Sequence, residues 1–172
     1  MGRKKVVKPS PSVEAAASNH RGAKTTMEMA YPVALAVQLR NILVDECSAR
    51  RTSQGFTDFE RTRIETRINE AGIGLPEGEK MFNVFLRFSL KVYATDNGQK
   101  AEEPAVEIEC RFVIEYFLPS MEGLLIENLK AFGGTSGVFS AWPYWREFVH
   151  STSLRLSVPP IILPTYRIAG AN

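Results

Sequence analysis

The sequence predicts an α+β fold, because strands and helices are expected in separate parts of the chain. Two segments, 82–94 and 106–118, alternate between the two faces of an extended chain over their whole length. Alternation this long is typical of strands that bury one face. After Pro119 the apolar residues recur at intervals of three and four, which is the spacing of amphipathic helices. We therefore expect an antiparallel sheet in the first part of the chain and helices after it.

The N-terminal residues 1–28 are rich in Ser, Ala, Pro, Lys and Arg and show no apolar period, which predicts a flexible basic tail before a domain at 29–172. Its basic residues are Arg3, Lys4, Lys5 and Lys8, among others. A net charge of only +2 favours a solvated tail over nucleic-acid binding. No apolar run of signal-peptide or membrane-spanning length is present, so we expect a cytoplasmic protein without stable membrane insertion.

The stretch 31–51 predicts a strand whose alternation changes phase. Val37 and Leu39 are at odd-numbered positions, whereas Ile42 and Val44 are at even-numbered positions. A β-bulge between the two pairs would shift the alternation in this way. An alternative is a short helix followed by a strand that begins near Arg40. The polar stretch 58–72 is expected to be either a charged helix or an irregular connection.

The two alternating segments predict an antiparallel hairpin. They are joined by the polar linker TDNGQKAEEP, whose Asn97-Gly98 pair is a turn signal. Pairing of residues that share a face of the two strands places Lys91 opposite Glu107 or Glu109. One face of the hairpin is expected to be buried: Phe82, Val84, Leu86, Phe88, Leu90, Val92 and Ala94 with Val106, Ile108, Cys110, Phe112, Ile114, Tyr116 and Leu118.

Two helices are expected after the hairpin. The segment 120–134 reads as a short helix that ends at the capping pair Gly133-Gly134, and GGTSG at 133–137 as a plain loop. Regular helix is then expected to resume close to Pro143, since proline fits the first turn. Its apolar stripe is Val138, Trp142, Trp145, Val149 and Thr152. The proline-rich stretch 157–172 predicts an extended edge or capping segment.

The sequence offers no constellation for catalysis or metal binding. His150 has only Glu147 and nearby serines within reach along its helix, and the common nucleotide, zinc and nucleophile motifs are absent. Cys47 and Cys110 lie far apart in apolar-patterned segments, which favours buried thiols over a metal site or a disulfide framework. We expect no enzyme and no cofactor.

Two stretches resemble the SecB family of protein-export chaperones. WPYWREFV at 142–149 resembles the "FPYARE"-type segment that opens the long helix of that family, and VPPIILPTYR at 158–167 resembles the "FPPLxLAPVNF" stretch that follows it. The resemblance covers residues 40–167. It implies a four-stranded antiparallel sheet with helices packed on one face, in a homotetramer built as a dimer of dimers.

The resemblance also implies a function. Such proteins are ATP-independent holdases that keep non-native polypeptides unfolded and soluble, and that pass them to the translocation ATPase SecA or guard an antitoxin. At the "PVNF" position this chain has Thr165-Tyr166-Arg167, and its outer sheet face mixes both charges, which argues against SecA coupling. The alternative is an interaction module that kept the fold without general chaperoning.

The residues expected to carry these roles fall into three sets. Client contacts are assigned to Phe56, Phe59, Phe132 and Phe139 in or beside connections, and to Phe85 and Phe117 on the charged sheet face, where Tyr93 also lies. The oligomer interface is assigned to Trp142, Tyr144, Trp145 and Phe148. Glu107, Glu109 and Glu115 are the expected translocase-contact face, if a translocase is bound.

Overall fold

The computed structural model describes residues 25–52, 62–96 and 98–166. Three helices and five strands lie in these ranges, which confirms the α+β prediction. In chain order they are α1 (Thr26–Ala36), β1 (Gln38–Arg51), β2 (Thr62–Gly74), β3 (Met81–Asp96), β4 (Gln99–Lys100), β5 (Val106–Phe117), α2 (Ile126–Phe132) and α3 (Val138–Arg155).

The four long strands form one antiparallel sheet in the order β1-β5-β3-β2. Four strands were predicted, and the structure has five, because the two-residue β4 also pairs with the end of β3. The predicted hairpin is confirmed as β3 and β5, with Lys91 opposite Glu107. This hairpin occupies the centre of the sheet, so β1 and β2 are its edges.

One face of the central hairpin is buried, as predicted, except at Ala94, which is exposed near the end of β3. All helix-facing residues of β3 from Phe82 to Val92 and of β5 from Val106 to Tyr116 lie in the core. We call this side the helix face, because Trp145 of α3 stacks on Phe88 there, and the opposite side the outer face. Directly paired residues share a face, so the strand register assigns every β1 and β2 side chain to one side.

Both edge strands are bulged. The register shifts between Leu39 and Asn41 and between Val44 and Glu46 in β1, which confirms the predicted phase change. A third shift lies between Ile68 and Glu70 in β2. The residues displaced at the three bulges contact outer-face partners: Arg40 lies over Phe117, Asp45 binds Arg111, and Asn69 donates to Ser89. The bulges thus add polar groups to the outer face.

The start of the domain follows the alternative prediction, a helix before the strand. Thr25 and Glu28 form a capping box at the start of α1, so residues 25–28, expected in the tail, include the cap and first turn of a helix. Asn128 holds α1 against α2: its amide accepts from the Leu125 N–H at the start of α2 and donates to the Met29 carbonyl of α1. Residues 1–24 lie outside the described ranges.

The expectation of a helix or irregular connection at 58–72 is wrong for its described part, which is strand β2. Ile64 and Ile68 are four residues apart, a spacing that fits a helix face. In the sheet they lie on one face with Thr66 between them, opposite Val92, Leu90 and Phe88. Pairing with β3, which is distant in sequence, determines the conformation.

The glycine-rich stretch is not a loop, and Gly133 is not a C-cap. Residues Gly133–Gly137 form a π-helical segment that joins α2 directly to α3, and Gly133 has helical φ and ψ of −57° and −45°. A Cβ at Gly133 would lie 3.2 Å from Ile73 Cγ2, and one at Gly137 would lie 3.0 Å from Val84 Cγ1. These glycines therefore allow the helix to approach the sheet closely. Helix α3 begins at Val138, so Pro143 lies inside it rather than in its first turn.

Candidate functional site

The helix face of the sheet is covered only at its centre. Helix α3 packs on β3 and β5, and its predicted apolar stripe is buried there. On the edge strands, Ile42 of β1 and Ile73 of β2 are partly buried against this core. Four other apolar side chains stay exposed on the helix face: Leu39 is 49% and Val44 51% exposed on β1, and Ile64 is 44% and Ile68 39% exposed on β2. We call these four residues the apolar edges. They flank the central helix on both sides of the sheet.

Each apolar edge residue continues a buried row of the core. Val44 lies opposite Phe112 and Leu39 opposite Tyr116, while Ile64 lies opposite Val92 and Ile68 opposite Phe88. The central partners are buried and the edge residues are not. An apolar segment placed along either edge would therefore extend the existing core rather than form a new one.

A second exposed apolar row runs along α1. Met27, Tyr31 and Leu35 are spaced four residues apart and are exposed, whereas Ala30 and Val33 are buried. Residues at this spacing share one side of a helix. Helix α1 thus has apolar residues on both its buried and its exposed side, an arrangement that burial on one side alone does not explain.

Helix α3 is held to the sheet and to the C-terminal segment by its tryptophans. Trp145 stacks on Phe88 with ring centroids 5.5 Å apart. Trp142 Nε1 donates to the Pro164 carbonyl at 2.9 Å, and Arg146 Nε donates to the Leu163 carbonyl at 2.8 Å. Val158, Ile161 and Leu163 are buried, so residues 158–166 act as a strap beside α3, as the capping-segment interpretation expected.

The outer face is dominated by ion pairs. Arg87 lies at the centre and binds Glu109 at 3.0 Å, Glu46 at 2.8 Å and Glu70 at 3.5 Å. The hydrogen bonds that Arg87 donates to Glu109 and Glu46 raise the pKa of its guanidinium. A hydrogen bond from Lys100, 2.9 Å away, lowers the pKa of Glu65.

The three outer-face aromatic rings each lie beside a cation. Arg111 lies 5.3 Å from the Phe85 ring centroid and Arg40 lies 5.0 Å from that of Phe117. Lys100 Nζ lies 3.9 Å from the ring centroid of Tyr93. These rings are engaged in cation–π contacts within the protomer. They do not form the open apolar patch that their spacing suggested.

The predicted client-contact residues are spread over different environments. Phe132 is buried against Tyr116 and Phe82, with ring centroids 5.1 and 5.9 Å away, so it belongs to the core of the protomer. Phe139, at the start of α3, is 60% exposed. Phe56 and Phe59 lie outside the described residues.

The other predicted site residues are equally dispersed. Trp142 and Trp145 are buried within the protomer, Phe148 is partly buried, and Tyr144 is exposed. The three predicted translocase-contact carboxylates already have partners: Glu107 binds Lys91 and Arg50, Glu109 binds Arg87, and Glu115 accepts from Asn41. The edge of Ile64 and Ile68 was not predicted because β2 was not recognised as a strand. Leu39 and Val44 were placed in a strand, but their exposure depends on the width of the sheet, which no local pattern contains.

No group of three or more His, Cys, Asp or Glu in the described ranges is placed to hold a metal ion. No helix in those ranges is long and apolar enough to cross a membrane. His150 is exposed on α3.

The sequence matches no protein-family model and no curated protein. Among solved structures it is similar to a SecB-like chaperone of Mycobacterium tuberculosis in complex with a ChAD peptide from the HigA1 antitoxin. The TM-score is 0.70 at 20% identity, over 81% of this chain and 97% of that one. A protein of unknown function from Streptococcus agalactiae matches with a TM-score of 0.37 at 12% identity, over 74% of this chain and 96% of that one. The chain therefore has the fold of a SecB-like chaperone.

Proposed function

We propose that this protein is an ATP-independent holdase that binds extended apolar segments of non-native polypeptides and keeps them soluble. The observation that carries the proposal is the pair of apolar edges beside α3. Contiguous exposed apolar surface on a folded protein marks binding sites for other chains. A holdase needs such a surface and no reacting groups.

The client is expected to lie along the edge strands on the helix face. Leu39 and Val44 on one side and Ile64 and Ile68 on the other would contact alternate side chains of an extended segment. The exposed ring of Phe139 is a further contact in this proposal, as are Phe56 and Phe59. Phe85 and Phe117 are weaker candidates, because an incoming client would compete with Arg111 and Arg40 for their rings.

A dedicated client, such as an antitoxin, is the version supported by the similar structure, which was solved with an antitoxin peptide. A translocase is not part of the proposal. Glu107, Glu109 and Glu115 are already bound to Lys91, Arg50, Arg87 and Asn41 within the protomer. They offer a docking partner less uncompensated negative charge than free carboxylates would.

The experiment that tests the site uses two adjacent residues of β1 with similar exposure on opposite faces. Val44 lies on the helix face, whereas Leu43, which is 47% exposed, lies opposite Val113 on the outer face. Losing about 1.5 kcal/mol of apolar contact weakens binding roughly tenfold. We expect Val44→Gln to weaken suppression of client aggregation by about this factor, while Leu43→Gln leaves it unchanged.

Light-scattering aggregation assays with a chemically unfolded client measure this effect, and circular dichroism checks that both variants are folded. Equal effects of the two substitutions would contradict the assignment of the site to the helix face. Failure of the unsubstituted protein to suppress any aggregating client at stoichiometric amounts would contradict the holdase function itself. It would leave the alternative, an interaction module on the same fold.

We also propose that the protein assembles as a homotetramer, a dimer of dimers. The exposed row of Met27, Tyr31 and Leu35 on α1 supports self-association, as does the exposed Tyr144 on α3 beside the partly buried Phe148. Size-exclusion chromatography with light scattering is expected to give a mass of four chains. A strictly monomeric protein at micromolar concentration would contradict this part of the proposal.

A further inference from the structure

The two cysteines, far apart in sequence, lie directly opposite each other in the sheet. Cys47 of edge strand β1 pairs with Cys110 of central strand β5. Directly opposed residues of an antiparallel pair have Cα atoms about 4.5 or 5.5 Å apart, according to their place in the ladder. Disulfides span Cα separations of about 4.4–6.8 Å, so either spacing is compatible with a bond. Both thiols are free in this structure.

The two thiols differ in access to solvent. Cys47 is exposed, and Cys110 is buried among the helix-face residues of β5. Burial, with a smaller contribution from the nearby Cys47, raises the pKa of the Cys110 thiol to about 12. A reagent in solution therefore reaches Cys47 first, and Cys110 can react only with a sulfur that Cys47 brings to it.

An exposed thiol opposite a buried one is not required by packing. Cys110 alone fills its place in the core as a small apolar residue. Cys47 lies between Val44 and Ala49, which face Phe112 and Ile108 and are also exposed. At that edge position the thiol contributes little burial, so its placement beside Cys110 points to chemistry between the two sulfurs.

We propose that Cys47 and Cys110 are a redox pair that forms a reversible cross-strand disulfide by exchange with a low-molecular-weight disulfide such as oxidised glutathione. The Cys47 thiolate attacks one sulfur of the small disulfide, which breaks its S–S bond and releases one glutathione thiolate. The Cys110 thiolate then attacks Cys47 Sγ and displaces the second glutathione. The protein loses two electrons and two thiol protons, and both protons end on the two molecules of reduced glutathione.

The bond would tie an edge strand to the centre of the sheet. Strand β1 carries Leu39 and Val44, which contact the client in the proposed function, but the thiol chemistry does not depend on that proposal. A covalent link between β1 and β5 restricts opening of the edge and disfavours the unfolded chain. We expect the oxidised protein to unfold at a higher temperature than the reduced one.

The experiment treats the reduced, full-length chain with excess oxidised glutathione and follows intact mass and the number of alkylatable thiols after denaturation. The expected product has no free thiol, carries no glutathione, and gives a peptide in which Cys47 is linked to Cys110. A reducing agent restores both thiols. Raising the pH from 7 to 9 is expected to shorten the life of the mixed disulfide, since the second step needs the Cys110 thiolate.

Two variants separate the steps. Cys110→Ala keeps a small apolar core residue and is expected to stop at one glutathione on Cys47. Cys47→Ser is expected to leave Cys110 unmodified in the folded protein. The proposal is overturned if the unsubstituted protein stops at the mixed disulfide, fails to react, or forms only Cys47–Cys47 links between chains on a non-reducing gel. Each result is independent of client binding.

Discussion

The two faces of the same sheet satisfy their side chains in opposite ways. On the outer face, charged groups bind one another around Arg87, and the rings of Phe85, Tyr93 and Phe117 lie beside cations. On the helix face the centre is fully buried, but the apolar edges are left exposed. The outer face therefore pairs most of its charged and aromatic groups within one protomer, whereas the helix face leaves apolar side chains exposed at both edges.

The size of a helix explains why the helix face is incomplete. An α-helix with its side chains is about 10–12 Å across, and neighbouring strands lie about 4.8 Å apart. One helix over the sheet covers roughly two strands, which here are β3 and β5. The four-strand width leaves most of β1 and the start of β2 uncovered, while the end of β2 packs against the π-helical segment through Ile73. In the proposed function, binding of another chain would thus rest on incomplete coverage rather than on a special group of aromatic residues.

The largest expected effect distinguishes the covered centre from the exposed surface. Trp145→Ala removes a fully buried ring that stacks on Phe88, and truncation of a buried Trp typically costs about 3–5 kcal/mol. The matched control is Glu147→Ala, two residues later on the exposed side of α3, which is expected to change stability by less than about 0.5 kcal/mol. Denaturant unfolding followed by circular dichroism measures both. A small loss at Trp145 would contradict the assignment of this ring to the core.

A smaller effect tests how closely the helices approach the sheet. Gly137→Ala places a Cβ 3.0 Å from Val84 Cγ1, and overpacking of this kind costs about 1–3 kcal/mol. Gly134→Ala is the matched control in the same π-helical segment, because a Cβ there meets nothing within 4 Å. We expect it to raise stability by up to about 0.5–1 kcal/mol through the lower chain entropy of alanine. Thermal unfolding of the two variants gives the comparison, and equal losses would contradict the close approach.

The central hairpin could be predicted from the sequence because its two strands are regular and adjacent in the chain. Their alternation is unbroken, and the register that brings Lys91 opposite Glu107 follows from a single linker. The stripe of α3 was predictable for the same reason, since helical spacing is a local signal. Local patterns thus gave the fold class and the core.

The edges could not be predicted in the same way. Bulges at Arg40, Asp45 and Asn69 break the alternation of β1 and β2, and pairing with distant strands decides their conformation. The role of Gly133 depends on its distance from Ile73 and Val84, which no local pattern contains. The proximity of Cys47 to Cys110 likewise depends on strand order. The features missed were those in which residues far apart in sequence meet.

The smallest expected effect concerns the outer face and its dependence on pH. Burial would raise the pKa of Glu107, but hydrogen bonds from Lys91, whose Nζ lies 3.0 Å from Oε1, and from Arg50 outweigh it and lower the pKa. A carboxyl whose pKa is lower in the folded chain than in the unfolded chain stabilises the fold above its unfolded pKa. That contribution is present at neutral pH and is lost as the pH falls below about 4.5, the ordinary value for this group.

Glu107→Gln is therefore expected to lower stability at pH 7 by about 0.2–1 kcal/mol, as for ion pairs whose cations are at the surface. It is also expected to flatten the decline of stability between pH 5 and pH 3, because the substituted side chain does not titrate. Urea unfolding across this pH range measures both effects. Glu102→Gln, in the exposed loop before β5, is the control that should leave the slope unchanged. If Glu107→Gln and Glu102→Gln behaved alike, the ion pair of Glu107 would contribute no measurable stability to the outer face. The contrast between the two faces would then rest on the other contacts of the outer face, such as the cation–π contacts.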